Sequence, residues 1–215
     1  MGVYLLFLAV CATLTVMYLY TDLQTKRTRA SYFASALPLF QKCHVIQTGH
    51  SWPVLTGEYG GASVRLEPIF DDLSWRKVPS LWLKVTVFVS NPSRGTLGFL
   101  VRPRGCEFYS PTVEMKYRLP IPENWPTDAL LCTDKIDAMP SCEKLLPATR
   151  VFHDQRVKEL VITPRGIRLV YQAAQAERSD YLVVRRARFS HKKADPNLVS
   201  GLLDSAIAIA AMADA

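Results

Sequence analysis

The sequence lacks the short motifs that identify the common enzyme classes. It contains no G-x-S-x-G nucleophile elbow, no H-E-x-x-H zinc helix, no P-loop and no G-x-G-x-x-G dinucleotide fingerprint. Its four histidines are scattered along the chain instead of being grouped as metal ligands. We therefore expect no catalytic residue, no cofactor, no metal ion and no small-molecule substrate, and we predict that the protein is not an enzyme.

Two weaker patterns leave alternatives open. Cys43, His44 and His50 lie close enough in the chain to form a metal cluster, although linker residues explain them equally well. An enzyme whose site is assembled from distant residues would use acids and a histidine, for which the candidates are Asp71, Asp72, His153 and Asp154. For the first two acids, a solvated turn is the simpler interpretation.

The sequence lacks a disulfide framework, and its charge is only moderately unbalanced. Five cysteines in 215 residues do not form a disulfide scaffold. The formal net charge of +7 and the pI of about 9.2 are modest for a dedicated nucleic-acid binder, and no recognition motif or aromatic stacking series accompanies the basic residues. Nucleic acid is therefore not an expected partner. With 49% apolar residues the chain can form a packed core, which excludes wholesale disorder.

The sequence does have a long apolar run at its start. Residues 3–20 (VYLLFLAVCATLTVMYLY) carry no charged side chain. As a helix they would extend about 27 Å, which is enough to cross the hydrocarbon core of a bilayer. No basic segment precedes the run and no small-residue cleavage site follows it directly, which argues against a cleaved signal peptide. We predict a transmembrane anchor over residues 1–20, with a signal peptide as the alternative.

Basic residues after the run predict its orientation. Lys26, Arg27 and Arg29 follow it, against the single acid Asp22. Basic residues near a span tend to stay on the cytoplasmic side, and they suit an anionic inner leaflet. We therefore expect a single-pass protein of the cell inner membrane, with its N-terminus outside and its domain in the cytoplasm. A periplasmic domain is the alternative.

Small residues form a strip along one side of the predicted span. Ala9, Ala12 and Thr13 recur at helical spacing. Small side chains let two membrane helices approach closely. We therefore expect membrane lipid around the span and another membrane protein packed against this strip.

The segment between the span and the domain has no alternating apolar pattern. Residues 21–53 are expected to form a stalk helix and a linker, with Pro38 ending the helix. Residues 39–53 are expected to be irregular.

From residue 54 onward the apolar period changes to two, which predicts a β-rich globular domain over 54–215. Hairpins are predicted around Gly60–Gly61 and around residues 164–166. Residues 81–89 (LWLKVTVFV) are typical of a central strand. Proline-rich residues 120–150 interrupt the pattern and are expected to form an excursion from the sheet.

The chain is predicted to end in a helix. Asp195 supplies an N-cap and Pro196 the first helical position. Apolar residues then recur at spacings of three and four, which predicts that the helix packs on the sheet. The expected fold class is α+β: an N-terminal transmembrane helix, a mainly antiparallel and sandwich-like β domain, and a C-terminal helix. A strict sandwich is the alternative.

One cysteine pair reports on the compartment. Cys132 and Cys142 lie in the proline-rich excursion, where a disulfide would close a short loop. In an oxidising compartment they would pair, whereas in the cytoplasm they should be free thiols.

Basic residues are concentrated in the last third of the chain. The candidate surface consists of Arg165, Arg185, Arg186, Arg188, Lys192 and Lys193. It suits anionic lipid headgroups or an acidic partner surface. The alternative is a solvated face whose charges pair with the acidic residues of the segment 120–154.

Three stretches of the chain resemble a known group of proteins. They are LTGEYGGASVRLEPI at 55–69, LWLKVTV at 81–87 and RVKELVITPRGIRLVYQA at 156–173. After an N-terminal span, they resemble a group of uncharacterised, membrane-anchored bacterial proteins, chiefly proteobacterial. The resemblance implies hairpins, core strands and a bacterial inner membrane, and it implies no active residue.

These observations predict a non-catalytic, single-span accessory subunit that docks on a larger membrane protein complex. A peripheral sensor of anionic lipid headgroups is the first alternative. It would use Lys26, Arg27, Arg29 and the basic residues of the stretch 185–193. An enzyme with a non-contiguous site is the second.

Overall fold

The computed structural model describes residues 2–72, 78–89, 94–138, 141–178, 181, 187, 189 and 193–214. It confirms the predicted fold class: an apolar N-terminal helix, a predominantly antiparallel β domain and a C-terminal helix. Helix α1 spans Gly2–Ala30 and helix α2 spans Pro196–Asp214. Among the described residues, short 3-10 helices lie at Leu37–Leu39, Pro111–Glu114, Ile136–Ala138 and Leu146–His153.

Within the described part of the chain, nine strands form one antiparallel sheet in the order β1-β2-β3-β4-β9-β8-β5-β7-β6. In chain order the strands are β1 Gln41–Ile46, β2 Val54–Tyr59, β3 Ala62–Asp71, β4 Ser80–Phe88, β5 Leu97–Val101, β6 Tyr117–Leu119, β7 Ala129–Thr133, β8 Val157–Thr163 and β9 Gly166–Gln175. The sheet is continuous, so helix and loop cover its core face where a sandwich would have a second sheet.

Both predicted hairpins are present. Tyr59 pairs with Ala62 across Gly60–Gly61, and both glycines have positive φ, as a two-residue hairpin turn requires. Thr163 pairs with Gly166 at the second hairpin. The central strand is β4, which lies between β3 and β9.

The sheet begins earlier than the sequence pattern indicates. Residues 41–46, expected as part of an irregular linker, form the edge strand β1, which pairs with β2. Most of its side chains are exposed, so the strand has no alternating apolar pattern by which it could be recognised. The proline-rich excursion likewise contains β7, which pairs with β5 and β6. The β-prone residues 181–189 (YLVVRRARF), which the sequence also predicts to form a strand, lie largely outside the described residues, apart from a bridge between Ala176 and Phe189.

One face of the sheet is apolar and buried. On the central strands this core face carries Leu81, Leu83, Val85, Val87, Ile167 and Leu169, all at most 1% exposed. Helix α2 covers β4 and β9 with a stripe that includes Val199, Leu203 and Ala206, each fully buried. Farther along the sheet, Phe99 packs edge-to-face against Trp125 and Phe152. The C-terminal helix therefore belongs to the core, as its apolar period predicts.

The opposite face of the sheet is polar. Along β3, β4 and β9 it carries Arg65, Glu67, Lys84, Thr86, Arg168 and Gln172, which alternate with the core residues. The segment 102–116, which connects β5 to β6, crosses part of this face. Thr112 in this segment lies directly over Gly98 of β5.

The close approach at Gly98 makes a stability prediction. A Cβ at this position would lie 2.2 Å from Thr112 Oγ1 and 2.9 Å from Thr112 Cβ. We expect Gly98→Ala to destabilise the protein by about 1–3 kcal/mol, because overpacking forces the segment away from the strand. Urea unfolding of the full chain in mild detergent, followed by tryptophan fluorescence, measures the change.

Gly201 provides the matched control. It lies in α2, and a Cβ added there would meet no neighbouring atom within 4 Å. Gly201→Ala should stabilise the protein by about 0.5–1 kcal/mol, since alanine favours the helix. Equal effects of the two substitutions would contradict the packing argument.

Candidate functional site

Two recesses lie on the polar face of the sheet. The sheet groove, of about 500 Å³, is lined by residues including Arg65, Glu67, Lys84, Phe88, Arg165 and Arg168. The polar pocket, of about 190 Å³, lies towards the start of β4 and the end of β9. Its lining includes Asp71, Trp82, Arg104, Glu107, Arg156 and Lys158. The segment 102–116 contributes to the walls of both recesses.

The floor of the sheet groove carries a three-residue charge cluster. Glu67 accepts hydrogen bonds from Lys84 Nζ at 2.7 Å and from Arg65 Nη2 at 2.8 Å. Burial alone would raise the pKa of Glu67, but Lys84 and Arg65 outweigh this effect and lower it. Glu67 is therefore an anion, and both Lys84 and Arg65 are paired with it. Arg165 lies at the end of the same groove and forms no ion pair with any described residue.

A wholly buried carboxylate lies between the two recesses. Glu159 is 0% exposed and accepts hydrogen bonds from the Ser110 hydroxyl and, at 2.6 Å, from Thr112 Oγ1. Arg168 Nη2 lies 3.4 Å from the other carboxylate oxygen. Since a buried charge without partners is strongly unfavourable, these contacts hold Ser110 and Thr112 on the sheet.

A second buried charge pair forms part of the wall of the polar pocket. Lys158 and Glu107 are each 6% exposed, with Lys158 Nζ 2.9 Å from Glu107 Oε1. Lys158 also donates to the Arg102 carbonyl, and the backbone amides of Arg104 and Cys106 donate to Glu107. Burial alone would raise the pKa of Glu107, but Lys158 and the backbone amide of Arg104 outweigh this effect, and the pKa lies below its ordinary value of 4.5.

An aromatic pair closes the pocket on one side. The rings of Trp82 and Tyr109 lie 5.4 Å apart. Burial, together with the carboxylates of Glu107, Glu159 and Asp71, raises the pKa of Tyr109. The phenol therefore stays protonated and can act as a hydrogen-bond donor.

The predicted basic surface is only partly within the described residues. Arg165 lines the sheet groove and Lys193 is exposed just before α2. The other four predicted members lie outside the described residues, namely Arg185, Arg186, Arg188 and Lys192. The structure therefore leaves the predicted surface as a prediction.

The basic residues predicted to lie near the membrane have different surroundings. Lys26 and Arg27 are exposed. Arg29 donates a hydrogen bond to the His50 carbonyl, and its guanidinium lies 5.5 Å from the centre of the Trp52 ring. Arg29 therefore connects α1 to the domain and is not a freely exposed cation.

The small-residue strip lies on an exposed part of α1. Ala9, Ala12 and Thr13 all face away from the protein, and the Thr13 hydroxyl donates to the Ala9 carbonyl at 2.8 Å. Its internal hydrogen bond satisfies the hydroxyl within the helix, so the strip is compatible with an apolar environment.

The residues named for an enzyme site are not gathered in one place. Asp71 lines the polar pocket, but Asp72, His153 and Asp154 do not. Asp154 instead accepts a hydrogen bond from the Tyr171 hydroxyl at 3.0 Å. Among the described residues, no group of three or more histidine, cysteine or acidic side chains is placed to hold a metal ion.

All five cysteines are free thiols in the structure. Burial raises the pKa of Cys132 on β7 and of Cys142 in the excursion, although Arg118 opposes the shift at Cys132. Both thiols are therefore held in the less reactive protonated form.

Sequence reasoning missed the buried charges Glu107, Lys158 and Glu159. One signal was available: VKELVIT places a lysine and a glutamate next to each other within an otherwise apolar strand. Residues 157–162 of this strand are all buried, so each of the two charges requires a partner. Both side chains meet the segment 102–116 on the polar face, because the register shift between Val157 and Glu159 interrupts the regular alternation of the strand. Apart from Arg168 on β9, those partners come from the distant segment 102–116, which the sequence pattern does not identify.

Comparisons with known proteins assign no family. No protein-family model matches the chain, and no curated protein matches it significantly. Among solved structures, the chain is similar to the mycobacterial trehalose monomycolate transport factor A, TtfA, with 8% sequence identity and a TM-score of 0.34. The alignment covers 74% of this chain and 67% of that one. A similarity at this level carries no argument about function.

The buried pair predicts how stability depends on pH. Because the pKa of Glu107 is lower in the folded protein than its ordinary value of 4.5, its stabilising contribution is present above pH 4.5. That contribution is lost as the pH falls through the lowered pKa. Glu107→Gln should cost about 3 kcal/mol at pH 7, because it leaves Lys158 buried without a counter-charge. It should also make stability less steeply dependent on pH below about 5.

Urea unfolding of the full chain between pH 7 and pH 3 measures both effects. Glu114→Gln serves as the control, because Glu114 is exposed and forms no ion pair with the described residues. If the stability of the wild-type protein and of Glu107→Gln changed in parallel with pH, Glu107 would not be the source of this pH dependence.

Proposed function

We propose that the protein is a non-catalytic, single-span accessory subunit that positions its β domain at a bacterial inner membrane and docks on a larger membrane protein complex. The observation that carries this proposal is the direct connection between α1 and the core. The sequence resemblance to membrane-anchored proteobacterial proteins supports the same setting.

Helix α1 has the properties of a membrane anchor. It is 29 residues long, and none of its residues is buried against the rest of the protein. Of the described helices, α1 and α2 are both long and apolar enough to span a membrane. Helix α2, however, is partly buried in the core, whereas the apolar window of α1 is entirely unburied. An unburied apolar helix of this length is strongly unfavourable in water and favourable in lipid.

The end of α1 is packed into the domain. Directly after the helix, Tyr32, Phe33 and Ala36 are at most 3% exposed. Tyr32 packs edge-to-face against Trp52, and its carbonyl accepts a hydrogen bond from the backbone amide of Ala194 at 2.8 Å. With no unpacked linker at this junction, the anchor holds the domain close to the membrane surface. Such a connection suits a subunit that meets its partner at a defined height and angle.

Two surfaces are available for a larger partner. The strip of Ala9, Ala12 and Thr13 allows lateral packing of another membrane helix. The sheet groove carries an excess of cations, with Arg165 unpaired among the described residues, and suits an acidic segment of the partner.

Photocrosslinking in the native membrane tests the docking role. With a photoreactive amino acid at Ala9 or Ala12, we expect one adduct of defined mass. The same probe at Phe7 or Leu14, on the opposite side of α1, should give at least about fivefold less. Arg165→Glu should reduce the yield of adducts from a probe at Thr163, because the introduced carboxylate would repel an acidic segment of the partner. Equal yields around the helix, with no adduct of defined mass, would refute the proposal.

The orientation has a separate test. In a variant without native cysteines, a cysteine introduced at Gly2 should react with a membrane-impermeant maleimide in intact cells. One introduced at the exposed Ser141 should react only after the inner membrane is permeabilised. Labelling of Ser141→Cys in cells with only the outer membrane opened would place the domain in the periplasm. A mature chain that starts after residue 20 would identify a signal peptide.

A further inference from the structure

The polar pocket is not needed for the docking role, and its chemistry differs from that of the sheet groove. It holds about 190 Å³ and is lined by four cationic side chains against two carboxylates, Asp71 and Glu107. A volume of this order accommodates a molecule of about monosaccharide size. What such a molecule can be depends on which of the four cations are already engaged.

Two of the four cations are committed to the fold. Lys158 is paired with Glu107, and Arg102 donates from Nη2 to the carbonyls of Gln155 and Val157 at 2.7 and 2.6 Å. Arg102 also has a positive φ of 50°, which is unusual for a residue with a side chain. These contacts make the wall of the pocket rigid before any ligand is present.

The other two cations remain available. Arg104 and Arg156 are exposed, and neither guanidinium forms an ion pair with any described residue. Among the described residues, the Arg156 guanidinium makes one long hydrogen bond, 3.4 Å from Nη1 to the Tyr171 hydroxyl. Guanidinium groups bind phosphate and carboxylate oxygens through paired hydrogen bonds. Two of them lining one recess provide a site for an oxyanion.

The remaining walls suit a hydroxylated body. Trp82 and Tyr109 form an aromatic side. Beside them, the Gln172 amide donates to Ser80 Oγ at 3.0 Å, and the Asp71 carboxylate lies 3.4 Å from Trp82 Nε1. Amide, hydroxyl and carboxylate groups around an aromatic ring can exchange hydrogen bonds with ligand hydroxyls while the ring covers an apolar face.

We propose that the polar pocket binds a small hydroxylated oxyanion, a sugar phosphate or sugar acid, with Arg104 and Arg156 holding the anionic group and Trp82 covering the body. The site binds its ligand without a chemical step. It gives the membrane-anchored domain a soluble ligand in addition to its protein partner.

Calorimetric titration of the full chain in nanodiscs of zwitterionic lipid tests the site. The probes are glucose 6-phosphate, glucuronate, glucose and inorganic phosphate. We expect at least one of the two charged sugars to bind at least about tenfold more tightly than either glucose or inorganic phosphate. A charged sugar contacts both the two arginines and the aromatic side of the pocket, whereas glucose lacks the anionic group and inorganic phosphate lacks the sugar body. Arg104→Ala and Arg156→Ala should each weaken that binding about tenfold or more, which corresponds to about 1.4 kcal/mol. Trp82→Ala should weaken the binding of the charged sugars but not the binding of inorganic phosphate.

Arg150→Ala is the matched control, because Arg150 is exposed and does not line the pocket. It should leave binding unchanged, and thermal unfolding should show that all four variants are folded. An equal loss with Arg150→Ala, binding of glucose as tight as that of both charged sugars, or no binding of any probe at 10 mM would overturn the proposal.

A further arm uses nanodiscs that contain phosphatidylglycerol. Unchanged binding of the charged sugar there supports a soluble ligand. Competitive loss of that binding would overturn this part of the proposal, because the pocket would then hold a lipid headgroup phosphate.

Discussion

The polar half of this molecule depends on one buried carboxylate. Glu159 lies in the middle of a strand buried on both faces, and its charge must be neutralised within the protein. Ser110, Thr112 and Arg168 provide the partners, and the first two bring a distant segment across the sheet. That approach requires a residue without a side chain at Gly98. The position of the segment, in turn, separates the polar face into two recesses.

The buried pair of Lys158 and Glu107 extends the same arrangement. Lys158 is adjacent to Glu159 in the chain, at the point where β8 and β9 shift register between Val157 and Glu159. The irregularity lets three consecutive residues of one strand be buried in different surroundings. Buried ion pairs add little net stability compared with apolar packing, and they select one arrangement over others because an unpaired partner is costly. Here they select the position of the segment 102–116.

The apolar half of the molecule follows a different rule. The core face is continuous from the aromatic residues after α1, through the central strands, to α2. Because the residues that follow α1 are themselves core residues, α1 and the domain are joined through packing and not through a flexible linker. Function must be argued from such placements, since an antiparallel sheet with covering helices serves many purposes.

The sequence by itself determined the features that depend on local chemistry. The unbroken apolar run predicted α1, alternation and paired glycines predicted the two hairpins and the central strand, and a proline after a capping aspartate predicted α2. Strand β1 was missed because an exposed edge strand has no alternating pattern. Tertiary structure alone decided that the strands form one sheet, that Arg29 binds the domain, and that Glu107 and Arg104 lie beside Lys158 and Arg156. Arg29 contacts His50, 21 positions along the chain, and Glu107 contacts Lys158, 51 positions along it. No local period in the sequence encodes pairing over such separations.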